Sequence, residues 1–192
     1  MKESVPAIFQ TVIAEKLRIA PLDNAIMIRE DKAQAQCQWV KLKLKNSLEY
    51  FCFSFDKQRE KGQPDPILPF FNPEIAGLCT QNDAVLICQK QADIYVLLIE
   101  LKSEGKGKYL QQLKSAEMLI GFIVDRLNTA KNPQFSINKD KLQFRGVLFR
   151  CRRTSREGTT VKKQKVSYQN RDGLLVTENA CHQLYHVSQF LV

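Results

Sequence analysis

Three charged residues stand at one end of two strongly apolar runs. Asp83 opens Ala84-Val85-Leu86-Ile87-Cys88, and Glu100 and Lys102 close the run from Ile94 to Lys102. A short polar turn, Gln89 to Asp93, separates the runs, and this pattern predicts a hairpin of two strands. Folded symmetrically about Gln91-Ala92, the hairpin puts Asp83 opposite Glu100. Opposed residues share a sheet face, with Cβ atoms roughly 4.5–5.5 Å apart, and Lys102, two residues on, points the same way. Elsewhere both faces are apolar, with Val85, Ile87, Val96 and Leu98 on one and Leu86, Leu97 and Ile99 on the other. That predicts a central, covered pair of strands.

Charges at the end of such a pair cost desolvation unless they are paired or bind a cation. Two close carboxylates repel each other, a divalent ion relieves the repulsion, and hard oxygen donors suit magnesium. An ion held by Asp83, Glu100 and the carbonyl of Leu101 would activate water and neutralise charge on a scissile phosphate. Lys102 would orient or help deprotonate that water and stabilise the transition state. The competing reading is a salt bridge of Lys102 with Glu100 or Asp83.

Asp83, a hairpin and Glu100-Leu101-Lys102 together resemble the D-(x)n-E-x-K signature of the PD-(D/E)XK (restriction-endonuclease-like) nuclease superfamily, over about residues 80–150. The resemblance implies an α/β (α+β) fold, a central mixed sheet flanked by helices with core order α-β-β-β-α-β. It also implies Mg2+ (or Mn2+) as cofactor and nucleic acid, DNA before RNA, as substrate. Some members carry an auxiliary glutamine on the helix after the E-x-K strand, and Gln112 is the candidate here. Others complete the metal shell with a glutamate from the first helix; Glu15 is that candidate, against the plainer reading of an exposed helix residue. The pattern departs at Asn82, where the family has proline. The nearest Pro-Asp, Pro64-Asp65, lies in a loop, and Asp83 is preferred because it opens an apolar strand.

The surrounding elements follow from periodicity. Ser4-Val5-Pro6 starts a helix with apolar residues at Ile8, Phe9, Val12, Ile13 and Leu17, stopping before Pro21. Cys37–Leu44 and Leu48–Phe55 alternate as strands joined at Lys45-Asn46-Ser47. From Asp56 to Pro73 the chain reads as a long loop with Pro64, Pro66, Pro69 and Pro73, a length that often borders a cleft. Past Gly105 and Gly107, a helix runs to about Ala130, with Leu110, Leu113, Ala116, Ile120, Ile123, Val124 and Leu127 at helical spacing. Strands follow at Leu142–Arg150, Leu174–Val176 and Tyr185–Leu191. Without repeats or low-complexity segments, residues 1–192 are expected to form a single domain, with a core at about 80–150 and a basic arm at about 150–170.

Lys+Arg number 29 against Asp+Glu 20, a net charge of +9 and a pI of about 9.3, which favours a polyanionic partner. Phosphate contacts are expected from Arg150, Arg152, Arg153, Lys162 and Lys163 in the basic arm, and from Lys106 and Lys108 beside the site. A solvated loop or a surface for a partner protein is the alternative for the arm, and a homodimer stays open. Six cysteines without CxxC spacing fit reduced, mostly buried thiols in a cytoplasmic protein, with a structural zinc site as the rarer reading. Cys181, His182 and His186 would cluster around a metal only if their segment were helical. The sequence lacks an apolar stretch of membrane-spanning length, a secretion signal and the GxxxxGK[ST], GxSxG and HExxH motifs. Besides a nuclease, two readings remain: an inactive nuclease-fold module for DNA binding or assembly, and an unrelated α/β interaction protein. Asp83, Glu100 and Lys102 together favour the first.

Overall fold

The computed structural model describes residues 3–30, 32, 34–56, 63–103, 108–130, 132–151 and 166–192. Its elements are α1 (Val5–Val12), β1 (Ala25–Arg29), β2 (Trp39–Lys43), β3 (Glu49–Phe53), β4 (Ala84–Lys90), β5 (Asp93–Lys102), α2 (Tyr109–Thr129), β6 (Leu142–Arg150), β7 (Gln169–Arg171), β8 (Leu174–Ala180) and β9 (Leu184–His186). A six-stranded mixed sheet runs β3-β4-β5-β6-β8-β7, and a three-stranded one runs β1-β2-β9.

The expected hairpin is central. Ala84 pairs with Ile99 and Lys90 with Asp93, in the register set by a turn at Gln91-Ala92, with Gln91 at φ 57°. After β5 the chain crosses through α2 and returns as β6, parallel to β5. From α1 through this sheet the order is α1, β3, β4, β5, α2, β6, the expected α-β-β-β-α-β with β1 and β2 inserted.

Strand alternation sorts the core into two layers. Val85, Ile87, Val96 and Leu98 pack with Ile8 and Phe9 of α1 and with Leu113, Ala116, Ile120 and Val124 of α2. Leu86, Leu97 and Ile99 pack instead with Ile26, Ile28, Val40 and Leu42 of the small sheet. Both helices thus cover one face, while the second face is covered by a sheet that the sequence reading did not place. Each fully buried Leu, Ile or Phe contributes roughly 1.5–3 kcal/mol. Gly146 of β6 brings α2 close, since a Cβ there would lie 2.9 Å from Leu113 Cδ1.

Several expected elements are corrected. The first helix ends at Val12, because Ile13 and Ala14 turn extended before the short turn Glu15–Leu17. Its first amide is capped by Gln89 Oε1 at 3.0 Å rather than by Ser4. The two strands expected on either side of Lys45-Asn46-Ser47 do form, as β2 and β3, and belong to different sheets: β2 pairs with β1 and β9, and β3 with β4. The last expected strand shrinks to Leu184–His186 before a turn at Val187–Gln189. Gln63 to Asn82 contains no helix or strand, so the expected loop continues to the edge of β4. Among the described residues, no helix is long and apolar enough to cross a membrane.

Candidate functional site

Asp83 is the residue before β4, and continuation of the register places it opposite Glu100. Its Oδ2 accepts the backbone N–H of Leu101, so the carboxylate is tied across to the strand that carries Glu100 and Lys102. The link to Leu101 runs through its amide nitrogen. Asn82, fully buried, donates from Nδ2 to the carbonyls of Ala84 and, at 3.2 Å, of Ile99. Asn82 therefore staples the open end of the hairpin.

Glu100 points to the helix-covered face, as do Val96 and Leu98, and is only 1% exposed. Lys102 Nζ lies 2.7 Å from its Oε1. Lys102 Nζ and the Asp83 backbone N–H are the polar groups that act on its oxygens. One partly exposed ammonium thus faces two carboxyl groups. Burial pushes the Glu100 carboxyl up from its ordinary range, the Asp83 charge adds to this, and Lys102 and the Asp83 amide oppose it. Asp83 is also raised, first by burial and then by the charges of Asp56 and Glu30, against the Leu101 amide and Lys102. The ion-pair reading and the metal reading therefore share one geometry: Lys102 does bind Glu100, and Lys32, 3.2 Å from Glu30, brings a second ammonium to the acids around Asp83.

Asp56 and Glu30 were not singled out in the sequence. Asp56 follows β3 and Glu30 follows β1, so chain entering from both sheets adds negative field at Asp83. Only the register between non-consecutive strands could have revealed this. Glu15, expected on the first helix, is exposed in the turn Glu15–Leu17. The Leu17 carbonyl of that turn accepts the Ser54 amide at 2.9 Å, at the same end of the sheet.

On the other side, Lys102 pairs in register with Arg150, the last residue of β6. Arg150 belongs to the sheet and not to a solvated arm. Its guanidinium lies 5.1 Å from the Tyr109 ring centroid, on the first turn of α2, and 3.9 Å from Glu178 of β8. Its Nε is buried without a hydrogen bond among the described residues. Gln112 donates from Nε2 to the carbonyl of Gln81 at 3.1 Å. It ties α2 to the segment leading into Asp83, a positioning contact. Lys108 is exposed just ahead of α2. Lys106, Arg152, Arg153, Lys162 and Lys163 lie outside the described residues.

The cysteine and histidine readings change. His182 sits in a turn at φ 58° and His186 ends β9, so their segment is not a helix and the expected trio does not form. Cys181 instead meets Cys37 and Cys151, with all three sulfur atoms within 4.8 Å of one another. Compared with known proteins, the chain matches no family model, no curated protein and no solved structure.

Proposed function

We propose that this chain is a metal-dependent phosphodiesterase, a nuclease using Mg2+ or Mn2+, with DNA favoured over RNA as substrate. The observation that carries the reading is Glu100, a carboxylate held almost entirely out of water with one partly exposed ammonium beside it and Asp83 tied across the same strand end. A buried carboxylate leaves such a position costly unless a cation completes it. The donors are hard oxygens on neighbouring strands, a set that suits magnesium.

A magnesium ion bound there would supply Lewis-acid stabilisation of charge on a phosphate oxygen. The protein's own groups do the rest. Asp83 and Glu100 fix the anionic pole, and the Leu101 amide holds Asp83 in place. Lys102 can hold a water and take part in its deprotonation, and its charge opposes the negative charge that builds up at phosphorus. Arg150, packed on Tyr109, presents a second cation in register with Lys102 for a phosphate oxygen. The element order α1, β3, β4, β5, α2, β6 supports the resemblance to PD-(D/E)XK nucleases.

The 2.7 Å contact of Glu100 with Lys102 favours one rival, a nuclease-like module in which the pair is a closed internal ion pair. Incubation with plasmid, single-stranded DNA and RNA in Mg2+ or Mn2+, against an EDTA control, separates the two. Metal-dependent cleavage lost in Glu100→Gln supports the enzyme. Binding without cleavage under every condition supports the module.

A further inference from the structure

Cys37, Cys151 and Cys181 come from three distant parts of the chain. Cys37 precedes β2 in the small sheet, Cys151 follows β6, and Cys181 follows β8. The fold brings their sulfur atoms within 4.8 Å of one another, and those of Cys151 and Cys181 to 2.8 Å. Cys37 and Cys181 are buried, and half-buried Cys151 donates from Sγ to the Gln36 carbonyl at 2.8 Å. Three packed thiols need no such convergence to fill an apolar core; Cys52 and Cys88 do that as buried residues of the layer against the small sheet.

The neighbouring histidine is already oriented. His182 Nε2 accepts the Gln38 backbone N–H at 3.1 Å, so in the neutral ring the proton sits on Nδ1. Nδ1 lies 4.0 Å from Cys181 Sγ, where its N–H is aimed at sulfur. His182 is thus placed to donate to a Cys181 thiolate, not to bind an ion itself. Such donors beside a metal-bound ligand fix its orientation and charge.

We propose that Cys37, Cys151 and Cys181 form a soft-metal site that takes one zinc ion on three thiolates. Three thiolate donors select zinc over magnesium. At Zn–S distances of about 2.3 Å, tetrahedral sulfurs stand about 3.8 Å apart. Cys151 and Cys181 reach that spacing by separating roughly 1 Å, and Cys37 lies within 4.8 Å of both. Binding exchanges three thiol protons for one zinc ion, leaving a complex of net charge −1 that faces the His182 donor.

The site would serve the sheet ends that carry the carboxylate centre. Cys37 Sγ also contacts the Phe149 carbonyl at 3.5 Å, and the Cys181 amide donates to the Arg150 carbonyl at 3.0 Å. Gln36, beside Cys37, donates its amide to Ser103 Oγ at 2.8 Å, directly after Lys102. The thiols therefore grip the ends of β5, β6 and β8 from the face opposite Glu100. The zinc site rests on this convergence alone and does not depend on nuclease activity.

The test uses the full chain purified under reducing conditions. Metal content of the wild-type protein is measured first, and then Co2+ is titrated into chelator-treated protein and back-titrated with Zn2+. The expected result is one zinc per chain, and one cobalt giving a sulfur-to-cobalt charge-transfer band that zinc abolishes. Cys37→Ser, Cys151→Ser and Cys181→Ser should each lose the stoichiometric band, while Cys88→Ser and Asp83→Ala keep it. His182→Ala should retain the stoichiometry with affinity about 10–100-fold weaker. Wild-type protein that is folded and reduced yet gives no charge-transfer band overturns the proposal. So does a band that survives in the triple serine variant. A Cys151–Cys181 disulfide in protein isolated without reductant and carrying no metal would also overturn it, assigning the pair to redox chemistry.

Discussion

Asp83 accepts the backbone N–H of Leu101 through Oδ2, so the first carboxylate of the centre is held by the strand that presents the second. The two acids cannot move independently, and the Asn82 staple behind them resists opening of the hairpin end. Substitutions here should split into those that remove chemistry and those that disturb the fold.

Asp83→Asn and Glu100→Gln keep size and much of the hydrogen bonding but remove charge. Each should lower cleavage by about 100-fold or more, since each deletes electrostatic stabilisation needed in the transition state. Both should leave the metal-free protein as stable as wild type or more so at neutral pH, because burial already disfavours the charged acids. Lys102→Met should differ. It removes the ammonium that opposes the rise of the Glu100 carboxyl, so Glu100 should keep its proton to higher pH and the loss of stability should appear in alkaline rather than neutral buffer. Urea unfolding alongside a plasmid-cleavage assay checks both halves. Equal cleavage by wild type and Glu100→Gln would remove Glu100 from the reaction.

The raised carboxyls also fix the sign of the pH dependence. The folded protein holds protons on Asp83 and Glu100 that the unfolded chain releases at about pH 4. Their contribution to stability is therefore full below about pH 4 and is lost as pH rises through the higher folded values. Magnesium binds the ionised pair and should reverse this trend, so the rise in Tm on adding Mg2+ should grow with pH. Melts in EDTA and in Mg2+ from pH 5 to 9 measure it. A Mg2+ shift that is flat with pH, or is retained in Asp83→Asn, would speak against metal bridging these carboxyls.

The hairpin was legible because two apolar runs and a two-residue turn leave little choice of register, and the register alone places Asp83 by Glu100. The β7–β8 hairpin carried an equally local sign in Asp172-Gly173, both at positive φ, where an Asp-Gly pair favours a tight turn. The three-stranded sheet carried no such sign. Its β2–β9 pairing joins Lys41 to Leu184, and nothing near either residue in sequence announces it. For the same reason the field of Glu30 at Asp83, the packing of Arg150 on Tyr109 and the meeting of Cys37 with Cys151 and Cys181 were hidden. Each depends on which distant strands lie side by side.

Gly146 tests how tightly α2 must sit over the sheet. An alanine Cβ there would lie 2.9 Å from Leu113 Cδ1 and 3.0 Å from Val176 Cγ2, so α2 or β8 must give way. Gly146→Ala should cost about 1–3 kcal/mol, the usual range for overpacking. Because Gln112 on α2 holds the Gln81 carbonyl just ahead of Asp83, activity should fall by more than the loss of folded protein explains. Chemical denaturation and the specific activity of the folded fraction read this out. A neutral effect on both would show that α2 is free to shift.

The basic residues should divide into two groups. Arg150 is fixed at the end of β6, in register with Lys102 and packed on Tyr109, so its charge can act on the scissile phosphate itself. Arg152, Arg153, Lys162 and Lys163 follow it in sequence and, on the proposed reading, would supply phosphate contacts that carry no chemistry. Replacing those four with alanine should weaken binding to all DNA sequences alike. The slope of log affinity against log salt should become shallower by about 0.9 for each lost contact with duplex DNA. Turnover at saturating substrate should change little, since such contacts form equally in ground and transition states. Arg150→Ala should do the reverse, lowering turnover at least tenfold with a slope change of at most one contact. Calcium, which is larger and less demanding in geometry than magnesium, allows the binding titration to be run without cleavage. An unchanged slope in the fourfold variant would move the phosphate-tracking surface elsewhere. Unchanged turnover in Arg150→Ala would leave Lys102 as the cation acting at phosphorus.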